Sequence, residues 1–329
     1  MRIKSRTITT LNTFDSYDAV GNRESLDDKI YMVSPEKTPI VSSVRRLNAT
    51  QRLHEWQRDS LATPNKDNAV IEGDDRTGSA LVPTARVANT VQLFDKVAVV
   101  SGTQSKTKSA GRSNEMKYQV SKCMVELKRD LEASVLSDNV AVQGNSTTAR
   151  KSAGLGTLLY TNISHGGAGA TPAHTSGLAT TAQTAGTNRA FTETLLKGVL
   201  QSVFTNSGEM PSIISMTPSH KGTFSGFAGI AANRVAVSKG KQGTIVGGAD
   251  VYMSDFGELT VVPNYVQTTA NANTVFILNP ECAGIAYLGG FKSEPLAKTG
   301  HTSKEMVSVE ACLVVTSETA HGKIANLTA

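Results

Sequence analysis

The side chains in this chain best suited to chemistry are a knot of carboxylates, six histidines and three cysteines. Glu72, Asp74 and Asp75 stand together beside Arg76. Acids this close could ligate a hard cation such as calcium, but the spacing of an EF-hand loop is missing. The knot is expected to be a solvated or intersubunit acidic tip. Ser219 and His220 are adjacent, which is not the geometry of a hydrogen-bonded Ser–His pair. Gly240-Lys241-Gln242-Gly243 has neither the Walker spacing nor the following Ser or Thr. There is no dinucleotide fingerprint, no nucleophile elbow and no HExxH. His54, His165, His174, His220, His301 and His321 are scattered, mostly beside Gly, Ser or Thr, where a surface histidine is the default. Cys123, Cys282 and Cys312 are odd in number and outside metal-ligand spacing of one another, so they read as reduced core thiols. No catalytic residue, cofactor site or metal site is expected, and the default reading is a structural protein.

The elements that would carry these residues are organised around Ser113–Asp138. Met116, Val120, Cys123, Met124, Leu127, Leu131, Val135 and Leu136 recur at steps of three or four and share one helical face. Ser113 is the expected N-cap, with Glu115 in the first turn where a carboxylate suits the helix dipole. Such a helix would run ~40 Å. Upstream, residues 1–21 are polar and show no helical stripe. Asn22–Val33 is a short helix candidate with Leu26, Ile30 and Val33 on one face. Thr38-Pro39 opens a second, carrying Ile40, Val41 and Val44. The segments LHEWQ from Leu53 and ARVANTVQLF over Ala85–Phe94 alternate as strands, and Val97–Val100 is a further one. Between the first two lies Ser60–Thr84, with Pro64, Gly73, Gly78, Pro83 and the charged knot, and no core pattern. A structureless stretch this long is improbable in a compact domain unless it is functional. It reads as a two-armed excursion. Trp56 sits near its base and is expected to pack the root, with a contact hot spot as the alternative.

His165–Asn188 is a low-complexity run of Gly, Ala and Thr, where a domain boundary is placed. Beyond it the pattern is α/β. Phe191–Asn206 is an amphipathic helix, Ser212–Met216 a strand, and Thr217-Pro218-Ser219 opens a short helix through Phe227. Strands are expected at Thr244–Val246, Ala249–Ser254, Leu259–Val262, Val275–Leu278 and Ala283–Leu288. A break falls at Glu294-Pro295, and Met306–Thr316 is a long strand expected to return to the first domain.

At 329 residues the chain can hold two domains, or one with large excursions. Hydrophobic content is 39% but aromatic content only 5%, so many contacts fall to small residues. A subunit stabilised by its neighbours tolerates that better than a lone enzyme does. The net charge of +5 is mild, with a small cluster at Arg2, Lys4 and Arg6, and no dense basic run marks a nucleic-acid reader. The opening MRIKSRTITTLNTF has no apolar run, so no signal peptide is expected. No stretch approaches membrane-spanning length, so no membrane partner is expected. A reducing cytosol is the expected setting, and the sequons at Asn48, Asn145, Asn162 and Asn326 are read as accidental.

Particular segments then resemble a family. NRESLDDKIYMVSPEKTPIVSSV, HEWQRDSLATP, the acidic EGDD at Glu72–Asp75, VSGTQS and AGRSNEMKYQVSKCMVELKRDLE look like the SU10-type major capsid proteins of tailed bacteriophages. SETAHGKIANL, Ser317–Leu327, resembles that family's C-terminal end. The resemblance is close over residues 22–160 and looser beyond.

It implies an α+β, HK97-like capsid fold: an N-terminal arm over 1–50, an extended E-loop over 51–102, a peripheral domain with a long spine helix over 103–189, an axial α/β domain over 190–290, and a return to the peripheral domain over 291–329. It implies hexamers and pentamers of this chain in an icosahedral shell around double-stranded DNA, contacted non-specifically. A portal is implied as partner, with a separate scaffolding or decoration protein possible because the arm is too short for a cleaved scaffold segment. The location implied is the virion capsid, assembled in the host bacterial cytoplasm. Trp56, Lys66, Glu72, Asp74, Asp75 and Arg76 are the candidate intersubunit contacts. One relative of the fold crosslinks its subunits through a Lys–Asn isopeptide bond. Lys66 sits at the E-loop tip, but no motif supports that chemistry. The alternatives are an encapsulin-like nanocompartment shell protein and, in a different class, an α/β enzyme, which would need a polar pocket the sequence does not reveal.

Overall fold

The computed structural model describes residues 34, 36–75, 78, 81–227 and 250–328. The helix expected over Asn22–Val33, the cluster Arg2, Lys4 and Arg6, the residue Arg76, the segment Gly240–Gly243 and the strand expected over Thr244–Val246 lie outside the described residues. In chain order the elements are α1 (Pro39–Ser43), β1 (Arg45–Asn48), β2 (Leu53–Arg58), β3 (Ala85–Thr90), β4 (Gln92–Ser101), α2 (Glu115–Leu136), α3 (Leu155–Leu158), β5 (Ile163–Ser164), β6 (Ala173–Thr175) and β7 (Leu178–Thr181). There follow α4 (Glu193–Ser207), β8 (Ile213–Met216), α5 (Pro218–Ser225), β9 (Val251–Ser254), β10 (Gly257–Pro263), α6 (Gln267–Ala270), β11 (Val275–Leu278), β12 (Ala283–Leu296), β13 (Thr302–Val315) and β14 (Gly322–Ile324).

The long helix forms as its periodicity requires, two residues shorter at each end. Its N-cap is Asn114 rather than Ser113: Asn114 takes the extended conformation and its side chain accepts from the Lys117 amide. At 22 residues it runs about 33 Å. It lies across β4 and β13 of a four-stranded sheet ordered β1-β12-β13-β4. Leu127, Leu131, Val135 and Leu136 pack there against Phe94, Ala98, Val307, Val309 and Leu313. On β4, Phe94, Ala98 and Val100 point to the helix while Leu93, Val97 and Val99 point to solvent, the period of two that a half-buried strand demands. β12 runs on through Pro295, where a break was expected. β1 pairs with β12 only along Gly284–Tyr287, so beyond that point β12 is an open edge, which tolerates a residue without an N–H.

The second sheet has the order β5-β14-β11-β8-β10-β9. Leu196, Val199, Leu200 and Val203 of α4 pack on it with Ile214, Ile277 and Ile324. β11, VFIL, is buried on both faces: Val275 and Ile277 belong to this core, Phe276 and Leu278 to that of the first sheet. A continuous apolar run is the pattern such a strand must have. The chain crosses between sheets more often than the sequence suggests. All of β12 from Ala283 onward is in the four-stranded sheet, and β14 returns to the six-stranded sheet between β11 and β5.

Buried polar groups fix this junction. Glu132 of α2, fully buried, accepts from the Ile40 and Val41 amides at 3.0 and 2.7 Å and from Asn264 Nδ2 at 2.7 Å. It therefore caps the open N-terminus of α1 and holds the segment after β10. Burial pushes its carboxyl above the usual range, and the three donors pull it back. His321 sits between the sheets. Its Nδ1 accepts from the Asn279 amide, so the ring is neutral, and burial lowers its pKa to about 4. His220 is also buried, between Thr217 Oγ1 at 2.8 Å and the Thr328 carbonyl at 3.1 Å. These two histidines are core residues, not the surface histidines expected, because every polar ring atom has a partner inside.

Candidate assembly surface

β2 and β3 pair antiparallel from Leu53↔Thr90 to Arg58↔Ala85 and then stop. Beyond them, every described residue between 59 and 84 is exposed and none belongs to a helix or strand. Aliphatic side chains stand out along this loop: Leu61 is 99% exposed, Val70 57%, Ile71 80%, Leu81 95% and Val82 81%. Single exposed apolar residues are ordinary, but a loop carrying this many with nothing of its own to pack on marks an interaction surface. The sequence reading singled out the charges here and missed these aliphatics. Their signal was visible as NAVIEG and SALVPT: aliphatic pairs with neither helical nor strand period, inside a Gly- and Pro-rich stretch.

The root of the loop is anchored firmly. Trp56 packs with Leu47 on the cluster Ala49, Val91, Ala286, Cys312 and Val314, and its Nε1 donates to the Val315 carbonyl at 3.0 Å. Arg58 donates to the same carbonyl at 2.8 Å. Asn89, fully buried, donates to Ser152 Oγ and to the carbonyls of Ala153 and Leu313, while its Oδ1 accepts from the Ala153 amide. Trp56 is thus partly buried at the root, in contact with its own chain. Asn89 and Arg58 do as much to hold the root but were not singled out. Asn89 reads in sequence as one polar position in an alternating strand.

At the tip, Lys66 pairs with its neighbour Asp67 at 3.0 Å, both well exposed, a contact worth little in water. Glu72, Asp74 and Asp75 surround a turn in which the Asp74 amide donates to the Ile71 carbonyl. Gly73 has φ +82°, a conformation that favours glycine, which explains its place inside the acidic knot. Lys66 is not joined to the knot by any hydrogen bond or ion pair among the described residues. No group of His, Cys, Asp and Glu among the described residues is placed to hold a metal ion. The three thiols are free. Burial pushes Cys312 up to about 12 and raises Cys123 and Cys282, so none is a poised nucleophile. No described helix is long and apolar enough to cross a membrane.

Among the described residues, two further groups of apolar side chains are exposed. One is the outer face of β4 with Leu93, Val97 and Val99. The other is β9, the end strand of its sheet among the described residues, which presents Val251 and Met253 beside the stacked rings of Phe204 and Phe256. A bare strand edge invites pairing with another chain.

The chain is 38% identical over 124 residues to the major capsid protein of Escherichia phage Phieco32, a match spanning 38% of this chain and 35% of that relative. Its fold is similar to the capsid asymmetric unit of cyanophage A-1(L), with TM-score 0.61, 13% identity and 96% and 99% of the two chains covered. It is also similar to the holo-SrpI encapsulin complex from Synechococcus elongatus PCC 7942, with TM-score 0.54, 12% identity and 93% and 92% covered. At such identities the likeness speaks for the fold, which is the HK97-like capsid fold. The sequence model of the SU10 major capsid protein matches residues 6–328, and the chain therefore belongs to that family.

Proposed function

We propose that this chain is the shell subunit of a tailed bacteriophage, and that its activity is association with copies of itself into hexamers and pentamers that close around double-stranded DNA. The observation that carries this is the loop over residues 59–84, anchored at its root, whose described residues are all exposed and include Leu61, Val70, Ile71, Leu81 and Val82. Fully burying one aliphatic side chain is worth roughly 2 kcal/mol, so covering Leu61, Val70, Ile71, Leu81 and Val82 on a neighbour would contribute on the order of 10 kcal/mol before ordering costs. Such arms overlap, and each standard interface buries about 1,600 Å². Glu72, Asp74, Asp75 and Arg76 choose the register on the neighbour through complementary charge more than they add affinity.

In this reading residues 1–50 are the N-terminal arm and the β2–β3 hairpin with its tip is the E-loop. The four-stranded sheet with α2 is the peripheral domain, and the six-stranded sheet with α4 and α5 is the axial domain. Sheet membership supports moving β12 wholly into the peripheral domain and β14 into the axial one. A portal, and a separate scaffolding or decoration protein if there is one, are the further partners, and assembly takes place in the host cytoplasm. Deleting Asn65–Gly78 tests the assignment. A folded subunit that sediments as small species and shows no closed shells by negative-stain electron microscopy is expected. Normal shells from that variant would sink it.

A nanocompartment shell is the second reading, favoured by the similarity to an encapsulin along nearly the whole chain. The contents separate the two: nuclease-protected DNA inside purified particles supports the phage shell, whereas an enclosed protein without DNA supports the nanocompartment.

A further inference from the structure

The low-complexity run over 165–188 holds a small hairpin, β6–β7, whose turn meets the root of the long loop. Ser176 and Gly177 join its strands with φ +52° and +81°, the left-handed pair that a two-residue hairpin turn favours. The amides of β3 alternate between β2 and the outside of the ladder. That of Ala88 points out and donates to the Gly177 carbonyl at 3.0 Å. The approach leaves no room for a side chain: a Cβ on Gly177 would stand 2.3 Å from the Arg86 carbonyl oxygen and 3.1 Å from Val87 Cα. The turn is itself fixed to the body. Ala179 of β7 is fully buried and its carbonyl accepts from the Ala141 amide at 2.9 Å. On β6, His174 Nε2 donates to the Thr157 carbonyl at 2.9 Å.

We propose that this turn braces the β2–β3 arm, with Gly177 as a positioning residue: it sets the direction in which the loop over 59–84 leaves the body, and through that direction the curvature of the shell. The effect on curvature rests on the assembly reading above; the brace itself does not. Trp56 and Arg58 tie β2 to a single carbonyl, that of Val315. A cleft of about 490 Å³ separates Gln57, Arg58 and Ala85 at the outer end of the hairpin from Tyr160 and Ser317, so the hairpin has room to tilt. Restoring an ordinary carbon–oxygen contact of ~3.5 Å at Gly177 would take a displacement of ~1 Å. Arg86 lies ~10 Å along the strand from the buried anchor Asn89, so that displacement turns the hairpin by roughly 6° and moves a tip up to ~40 Å further on by several ångströms. A tip displaced by that much meets a neighbour at a different angle or misses it.

Gly177→Asn tests the brace, with Gly208→Asn as its control. Both glycines have positive φ, which Asn tolerates better than most side chains, but open space surrounds a Cβ built at Gly208. The contact with Arg86 is thus what sets the two variants apart. Nitroxides carried on p-acetylphenylalanine in place of Asn65 and Lys128, both exposed, report the direction of the arm in dissociated subunits by pulsed electron paramagnetic resonance. A distance shifted by a few ångströms or broadened in Gly177→Asn, and unchanged in Gly208→Asn, is expected. Residue-resolved hydrogen exchange on the wild type needs no variant: the Ala88 amide should exchange slowly, and exchange at the rate of an unbonded amide overturns the brace. So does an unchanged distance in Gly177→Asn. In electron micrographs, Gly177→Asn is expected to give shells of altered diameter, or open sheets and tubes, while Gly208→Asn gives wild-type shells. A shifted arm with wild-type shells overturns the link to curvature. A wild type that forms no shells sinks the assembly reading and the curvature claim with it, and the distance still decides the brace.

Discussion

Glu132 shows how much of this molecule rests on single buried polar side chains. One carboxylate satisfies two amides at the start of α1 and the amide nitrogen of Asn264, and so ties α1, α2 and the six-stranded sheet at one point. Replacing it by Ala strands three buried donors. Glu132→Ala is expected to lower subunit stability by on the order of 3 kcal/mol, measured by urea denaturation. His321 carries a pH dependence with a definite sign. Its folded pKa of about 4 lies below the ordinary 6.5 because burial disfavours the charged ring. Its contribution is therefore fully present above pH 6.5 and is lost as pH falls toward 4, by on the order of 3 kcal/mol across that window. Thermal melts of the wild type should drop steeply between these values. The drop should flatten in His321→Gln, and an equally steep drop in that variant would place the titration elsewhere.

At the scale of elements, the β2–β3 hairpin joins a rigid root to an unsupported tip, and substitutions at the two ends separate folding from association. Leu61→Asp together with Ile71→Asp touches nothing within the chain. The subunit melting temperature is expected to stay unchanged while closed shells disappear from electron micrographs. Trp56→Ala acts at the other end. It removes an indole packed on Val91 and Val314 and its bond to the Val315 carbonyl, and should cost the subunit about 3 kcal/mol in urea melts. A loss of shells with no loss of subunit stability in Trp56→Ala would instead mark the indole as a contact residue.

For the whole molecule, two sheets meet through β11, which contributes to both cores, while the long β2–β3 loop faces outward. The described part of the loop exposes five aliphatic side chains beside its charges, and the proposal that these make the main contacts has a measurable consequence. At ~1 M salt the Debye length is about 3 Å and exposed ion pairs are largely screened, while apolar burial is not weakened. Shells formed by this chain are expected to persist at that ionic strength in sedimentation profiles. Dissociation into small species would assign the main contacts to the charged knot instead.

Much of this was legible in the residues themselves. The stripe from Met116 to Leu136 determines the spine helix, the unbroken VFIL determines a strand buried on both faces, and Gly73 and Pro64 within an aperiodic run determine that the loop leaves the body. These are local patterns, and helical or strand period reads them directly. The partners across the fold are a different matter. The sequence does not say that Glu132 caps a helix 92 residues upstream, that Asn89 bonds the Leu313 carbonyl, that β14 slots between β11 and β5, or that β12 passes through Pro295. Each depends on contacts between residues far apart in the chain. Burial likewise turned His220 and His321 from expected surface residues into core ones. Only the tertiary structure decides which polar side chains lose water, because that depends on what packs against them and not on their neighbours in sequence.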